Sequence, residues 1–175
     1  MNRRTVIAAG LLGLAGAHFS RLGDNNTAHA MKTELQLDPN PDTIKPFTLD
    51  KAEWKMRLSE EAFYVLRKEG TERPFTSPLN DEKREGEYAC AGCDLVLFTS
   101  EQKFDSGTGW PSFFDKIDGR IETKTDYKLI LPRTEYHCAR CGGHQGHVFK
   151  DGPAPTGLRY CNNGVALKFV PKSSL

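Results

Sequence analysis

Four cysteines stand in two matching pairs, Cys90-Ala-Gly-Cys93 and Cys138-Ala-Arg-Cys141. A C-x-x-C knuckle aims two sulfurs at one point. Two knuckles close a tetrahedron of the kind zinc prefers, with sulfur about 2.3 Å from the metal. Gly92 in the first knuckle and Gly142-Gly143 after the second give the backbone freedom to turn toward an ion. The long stretch between the pairs must fold back on itself to bring them together. A site of four thiolates has no open coordination position, so its metal is structural and its binding energy is folding energy. Two disulfides, or redox-active C-x-x-C pairs, are the alternatives.

The 175 residues suffice for one domain with short appendages. Hydrophobic residues at 38% and charged residues at 27% describe a soluble globular chain rather than a disordered one. With 24 basic and 23 acidic side chains there is no basic block, so nucleic acid is not an expected partner. No mature segment is long and apolar enough to span a bilayer. Residues 1–30 carry the marks of an export signal. Arg3-Arg4 opens it, an apolar Gly/Ala-rich run follows over 5–17, and Ala28-His29-Ala30 has the form of a cleavage site. Arg3-Arg4 before Thr5-Val6-Ile7 resembles a twin-arginine signal, with an ordinary secretory signal as the alternative. The expected location is periplasmic. Residues 31–48, with Pro39, Pro41 and Pro46, read as an extended lead-in, and 49–175 as the functional domain.

Asp50-x-x-Glu53 is a capping-box start for a helix with Trp54 and Leu58 on one face. Ser59 caps a second helix carrying Ala62, Phe63 and Leu66, which Gly70 ends. Beyond Glu87 the pattern turns to period two. Strands are expected at 94–98, 127–131, 135–138, 157–161 and 165–170, with Asn163-Gly164 as a hairpin turn between the last two. The expected fold is mainly β: a small antiparallel β-barrel or sheet with two N-terminal helices and a structural zinc site.

Cys161 is left over. It lies at a strand end, with Arg159 two residues away on the same face, where a guanidinium can stabilise a thiolate. A buried inert thiol is the alternative. His144 and His147, read as part of a tight loop, can serve as proton donors, or can belong to a second metal site or a structural turn. In Ser106-Gly-Thr-Gly-Trp-Pro-Ser-Phe113, two glycines allow close backbone approach and Trp110 can wall a site; Phe113 and Phe114 are expected in the core.

The segments SGTGWPSF (106–113), RCGGHQGHVF (140–149) and DGPAPTGLRYCNN (151–163), with the paired C-x-x-C, resemble the B-type methionine sulfoxide reductases from about Asp50 to Pro171. The resemblance implies a small β-barrel holding zinc on Cys90, Cys93, Cys138 and Cys141. It implies Cys161 as nucleophile, His144, His147 and Asn163 in the active site, and Trp110 against the substrate methyl group. It implies reduction of methionine-(R)-sulfoxide, free or in oxidised proteins and peptides, through a sulfenic acid. Where many members have a second, resolving cysteine, this chain has Thr108. Regeneration is then expected from an external, thioredoxin-like thiol donor, and the chain is expected to be a monomer. A non-catalytic zinc-ribbon module that binds a protein partner is the competing reading.

Overall fold

The computed structural model describes residues 44–172. Residues 1–30, read above as an export signal, and all but the last residues of the lead-in lie outside them. Ile44, Phe47 and Leu49 pack against the core, and the Phe47 N–H donates to the Arg140 carbonyl at 2.8 Å. The lead-in therefore hugs the domain over its described part.

Helix α1 (Lys51–Arg57) starts where the capping box predicts. The Asp50 carboxylate accepts from the Glu53 N–H, and the Glu53 carboxylate from the Asp50 N–H, each at 2.8 Å. Its inward face carries Trp54, whose ring meets Phe47 edge-on at 5.7 Å. Helix α2 (Glu60–Lys68) is capped by Ser59 and buries Ala62, Phe63, Val65 and Leu66. Gly70 does not end it. Glu69 takes the left-handed conformation at φ 53°, one residue earlier. Gly70 is needed for space instead, since a Cβ there would lie 2.2 Å from the Tyr64 ring.

The strands form two antiparallel sheets. One has the order β2-β1-β9, from β1 (Gly86–Cys90), β2 (Val96–Thr99) and β9 (Leu167–Pro171). The other has the order β3-β4-β8-β7-β6-β5. It comprises β3 (Lys103–Phe104), β4 (Ser112–Phe113), β5 (Ile121–Asp126), β6 (Arg133–Cys138), β7 (His144–Phe149) and β8 (Arg159–Asn162). The mainly-β expectation holds, but these sheets are not a closed barrel. Strands β3 and β5 end the second sheet unpaired with one another, and β3 and β4 are too short to carry a ladder round to closure. The core holds Tyr88, Leu97, Phe98, Phe113 and Tyr136, with Phe98 and Phe113 stacked at 4.1 Å.

Three local expectations fail for physical reasons. Residues 127–131 are not a strand but part of the connection from β5 to β6, with Tyr127, Leu129, Ile130 and Leu131 exposed. The true strand, β5, is an edge whose middle four residues face solvent, so it carries no apolar alternation to detect. Residues 144–149 form strand β7, not a loop. Asn163-Gly164 is not a hairpin: Asn163 has φ −73°, and a 3-10 turn over Gly164–Ala166 carries the chain from one sheet into the other. Gly164 is required by crowding, because a Cβ there would lie 1.8 Å from Ser77 Oγ.

Candidate active site

The end of β1 and the end of β6 deliver the two knuckles. In the first, the Cys90 N–H donates to Leu95 O and the Asp94 N–H to Cys90 O. In the second, the Cys138 N–H donates to Gly143 O and the Gly142 N–H to Cys138 O. The left-handed residues that close these turns are Asp94 (φ 63°) and Gly142 (φ 65°), so Gly92 is not the one that supplies the first bend. The four sulfurs lie within 4.8 Å of one another. Cys90 and Cys141 are 3.7 Å apart, and Cys93 and Cys138 are 3.5 Å apart. A tetrahedron with 2.3 Å Zn–S bonds has edges of about 3.8 Å, whereas a disulfide needs about 2.05 Å. Contacts among these thiols, together with burial, push Cys90 well above the ordinary thiol range. A divalent cation is the group that makes four such sulfurs compatible as thiolates. The cluster fits a structural metal, with no position left for substrate.

Cys161 sits in β8 between β4 and β7. It pairs with Ser112 on one side and His147 on the other, and His147 pairs in turn with Glu135. Directly paired residues share a face, so Ser112, Cys161, His147 and Glu135 form one row across the sheet. The half-buried Cys161 thiol is pushed up by desolvation, against the pull of the Arg159 charge and a hydrogen bond with Thr108. Arg159 is locked beside it. Its Nε and Nη2 donate to the two Asp151 oxygens at 2.9 and 2.8 Å, and its guanidinium covers Phe149 at 4.4 Å.

Residues three apart on a regular strand face opposite sides. Here the pairing passes from His137↔His144 to Tyr136↔Gly146, leaving Gln145 unmatched as a bulge. The bulge brings His144 and His147 together, with ring centroids 5.5 Å apart. Gly146 is obligatory beside it: a Cβ would lie 1.9 Å from the Cys161 carbonyl oxygen. Each histidine leans on its own carboxylate. His144 Nδ1 is 2.6 Å from Glu135 Oε1, both groups buried, and His137 Nδ1 is 3.0 Å from the other Glu135 oxygen. Burial opposes ionisation of Glu135, but hydrogen bonds from His137 and His144 prevail and bring it to about 2. His147 Nε2 is 2.7 Å from Asp126 Oδ2, which also accepts from Arg133 Nη2 at 2.6 Å. The Lys128 N–H, His147 and Arg133 together hold Asp126 below the usual carboxylate range. Desolvation lowers His147, outweighing its bond to Asp126. With Nε2–H committed to Asp126, Nδ1 is the nitrogen left to exchange a proton.

The loop before β4 brings Trp110 into place. Its Nε1 donates to Glu72 O at 3.2 Å, and Gly109, at φ 91°, accepts from the Phe75 N–H at 2.7 Å. The buried Asn163 is spent on backbone: Oδ1 accepts from the Glu72 N–H and Nδ2 donates to Gln145 O, each at 2.9 Å. Glu72 accepts in turn from the Gly164 and Val165 N–H groups. His147 thus lies across from Cys161 with His144 beside it, Trp110 is fixed through the 72–75 strap, and Asn163 anchors that strap to the strand end. Reading the sequence missed Glu72, Asp126 and Glu135, whose partners are far along the chain; only Glu135, a charge at an inward strand position, left a local trace. A groove of about 1350 Å³ runs between α2 and residues 164–167 and is lined by none of Cys161, His144, His147 or Trp110.

A half-buried thiol, a locked guanidinium and two carboxylate-held histidines on a β fold with four clustered cysteines make an arrangement suited to thiol chemistry. The SelR domain family matches residues 58–171. Similar proteins include Peptide methionine sulfoxide reductase MsrB of Methanosarcina barkeri, 54% identical over 118 residues, which cover 67% of this chain and 83% of that one. MsrB of Pseudomonas putida is 55% identical over 123 residues, 69% and 91% of the two chains. Peptide methionine sulfoxide reductase B1, chloroplastic, of Arabidopsis thaliana is 48% identical over 137 residues, 74% and 68%. This chain belongs to the SelR family of B-type methionine sulfoxide reductases.

Proposed function

We propose that this protein reduces methionine-(R)-sulfoxide, in oxidised proteins and peptides or as the free amino acid, through Cys161. The observation that carries the reading is the cross-strand row, which sets the thiol directly opposite a histidine that Asp126 orients. Oxide is a poor leaving group from sulfur until it is protonated. An imidazolium at His147 supplies that proton from Nδ1. The Cys161 thiolate attacks the sulfoxide sulfur, with Arg159 favouring its ionised form. Attack forms an S–S bond and leaves a hydroxyl on the substrate sulfur. That hydroxyl then passes to Cys161 Sγ as the substrate S–O and the new S–S bonds break, so methionine departs and Cys161 is left as a sulfenic acid. Glu135 holds His144 against His147, and Trp110 offers the ring face for the substrate methyl group.

Zinc on Cys90, Cys93, Cys138 and Cys141 supplies rigidity and no redox chemistry. With those four sulfurs engaged and the fifth, Cys161, oxidised, no other cysteine of this sequence is left to resolve the sulfenic acid. An external thiol condenses with it, releasing water, and a second thiol reduces the mixed disulfide. We read residues 1–30 as an export signal, which makes the donor a thioredoxin-like protein in the periplasm; cell fractionation tests that reading.

The decisive assay presents the two sulfoxide epimers to the purified protein with a dithiol. Turnover of the R epimer alone, lost in Cys161→Ser with fold retained, supports the proposal. Equal turnover of both epimers, or full activity in Cys161→Ser, refutes it.

A further inference from the structure

Gln145, the bulged residue of β7, is fully buried and its side chain points at two sites at once. Nε2 lies 3.3 Å from Cys90 Sγ, and Oε1 accepts from Asn162 Nδ2 at 3.4 Å. Asn162 follows Cys161 directly, and its Oδ1 accepts from the Tyr136 hydroxyl at 2.6 Å. Chemistry sets the polarity of this chain. A metal-bound thiolate can only accept, so Gln145 must give Cys90 its NH2 and keep its oxygen for Asn162. Asn162 then turns its own oxygen to the tyrosine O–H. The Gln145 main-chain carbonyl also accepts from Asn163 N and Nδ2, each at 2.9 Å, so its side chain holds Asn162 and its backbone holds the next residue, Asn163.

We propose that Gln145 is a positioning residue that couples the four-cysteine metal site to the strand bearing Cys161. The inference rests on the reading that the cysteines hold a metal. In the loaded site Cys90 is a thiolate, and its N–H···S bond is charge-assisted. That bond fixes the Gln145 amide, which fixes the Asn162 amide, and each link polarises the next in a dry interior. An outer-sphere hydrogen bond of this kind tunes a metal ligand as well as orienting it. Metal occupancy therefore holds the segment after Cys161, and that segment in turn slows loss of the metal.

The test uses the full protein loaded with zinc or with Co²⁺. Metal uptake is measured first; a protein that binds neither ion refutes the metal reading itself. Gln145→Met keeps an unbranched chain of similar length but has no N–H. It should weaken metal binding about 10- to 100-fold against a chromophoric chelator and shift the sulfur-to-Co²⁺ charge-transfer band. It should also speed alkylation of Cys161, followed by peptide mapping. Tyr136→Phe removes only the far end of the chain. It should hasten metal release to a smaller extent, and this effect should vanish in the Gln145→Met background. Additive effects in the double variant, or an unchanged Co²⁺ spectrum and Cys161 alkylation rate in Gln145→Met, overturn the coupling. Should Gln145→Met fail to fold, the Tyr136→Phe spectrum decides: a shifted band supports the chain and an unchanged one refutes it.

Discussion

Replacing His147 with alanine should change the shape of the pH dependence as well as its height. Catalysis as derived above needs Cys161 ionised and His147 protonated. The structure pushes each group away from that form: desolvation raises the thiol above 9.0 and lowers the imidazole below 6.5. The active enzyme is thus a minor protonation state. Between the two values, each pH unit raises the thiolate fraction tenfold and lowers the imidazolium fraction tenfold. The product is constant, so kcat/KM of the wild type should be flat from below 6.5 to above 9.0, falling only outside that window. Without His147 only the thiolate term remains. The rate should then climb tenfold per unit across a window of about 2.5 units, a rise of roughly 300-fold, while staying about 10²–10⁴-fold below wild type near neutrality. The assay is kcat/KM for a peptide R-sulfoxide between about pH 5.5 and 9.5, with pre-reduced enzyme so that regeneration does not limit. A wild-type rate that already climbs tenfold per unit through neutrality would refute the acid role. So would a flat profile in His147→Ala.

Cys93→Ser should abolish stoichiometric metal and with it most of the thermal stability, since zinc affinities of about 10–16 kcal/mol in small structural sites act as folding energy; elemental analysis and a melting curve check this, and a native, metal-free protein with two disulfides would refute it. One equivalent of methionine sulfoxide without reductant should remove one titratable thiol under denaturing, chelating conditions and leave a dimedone adduct on Cys161. Loss of two thiols with an internal disulfide would overturn regeneration by an external donor. Glu135 is held at about 2 in the folded protein against an ordinary 4.5. Its contribution to stability is complete above 4.5 and is lost as pH falls toward 2, so Glu135→Gln should flatten that part of the stability profile in urea titrations.

Sequence alone determined the parts whose physics is local. The Asp50–Glu53 capping box needs only residues three apart, and α1 begins there. The two C-x-x-C pairs show their chemistry in their spacing, and the four sulfurs meet. The leftover status of Cys161 follows from cysteine counting, and its pairing with Arg159 from strand period. Tertiary structure decided what depends on pairing across the sheet. His144 and His147 share a face only because Gln145 bulges out of register, and nothing in His-Gln-Gly-His announces a bulge. Edge strand β5 shows no alternation because one side of it has no partner and its middle faces water. Asn163-Gly164 has the composition of a hairpin turn, but β9 finds its hydrogen bonds on β1, in the other sheet. Asp126 and Glu135 become part of the site only when β6 pairs with β7 and β5 pairs with β6. A carboxylate's role is set by which donors the fold brings within hydrogen-bonding distance, and that is a property of strand register rather than of any short stretch of chain.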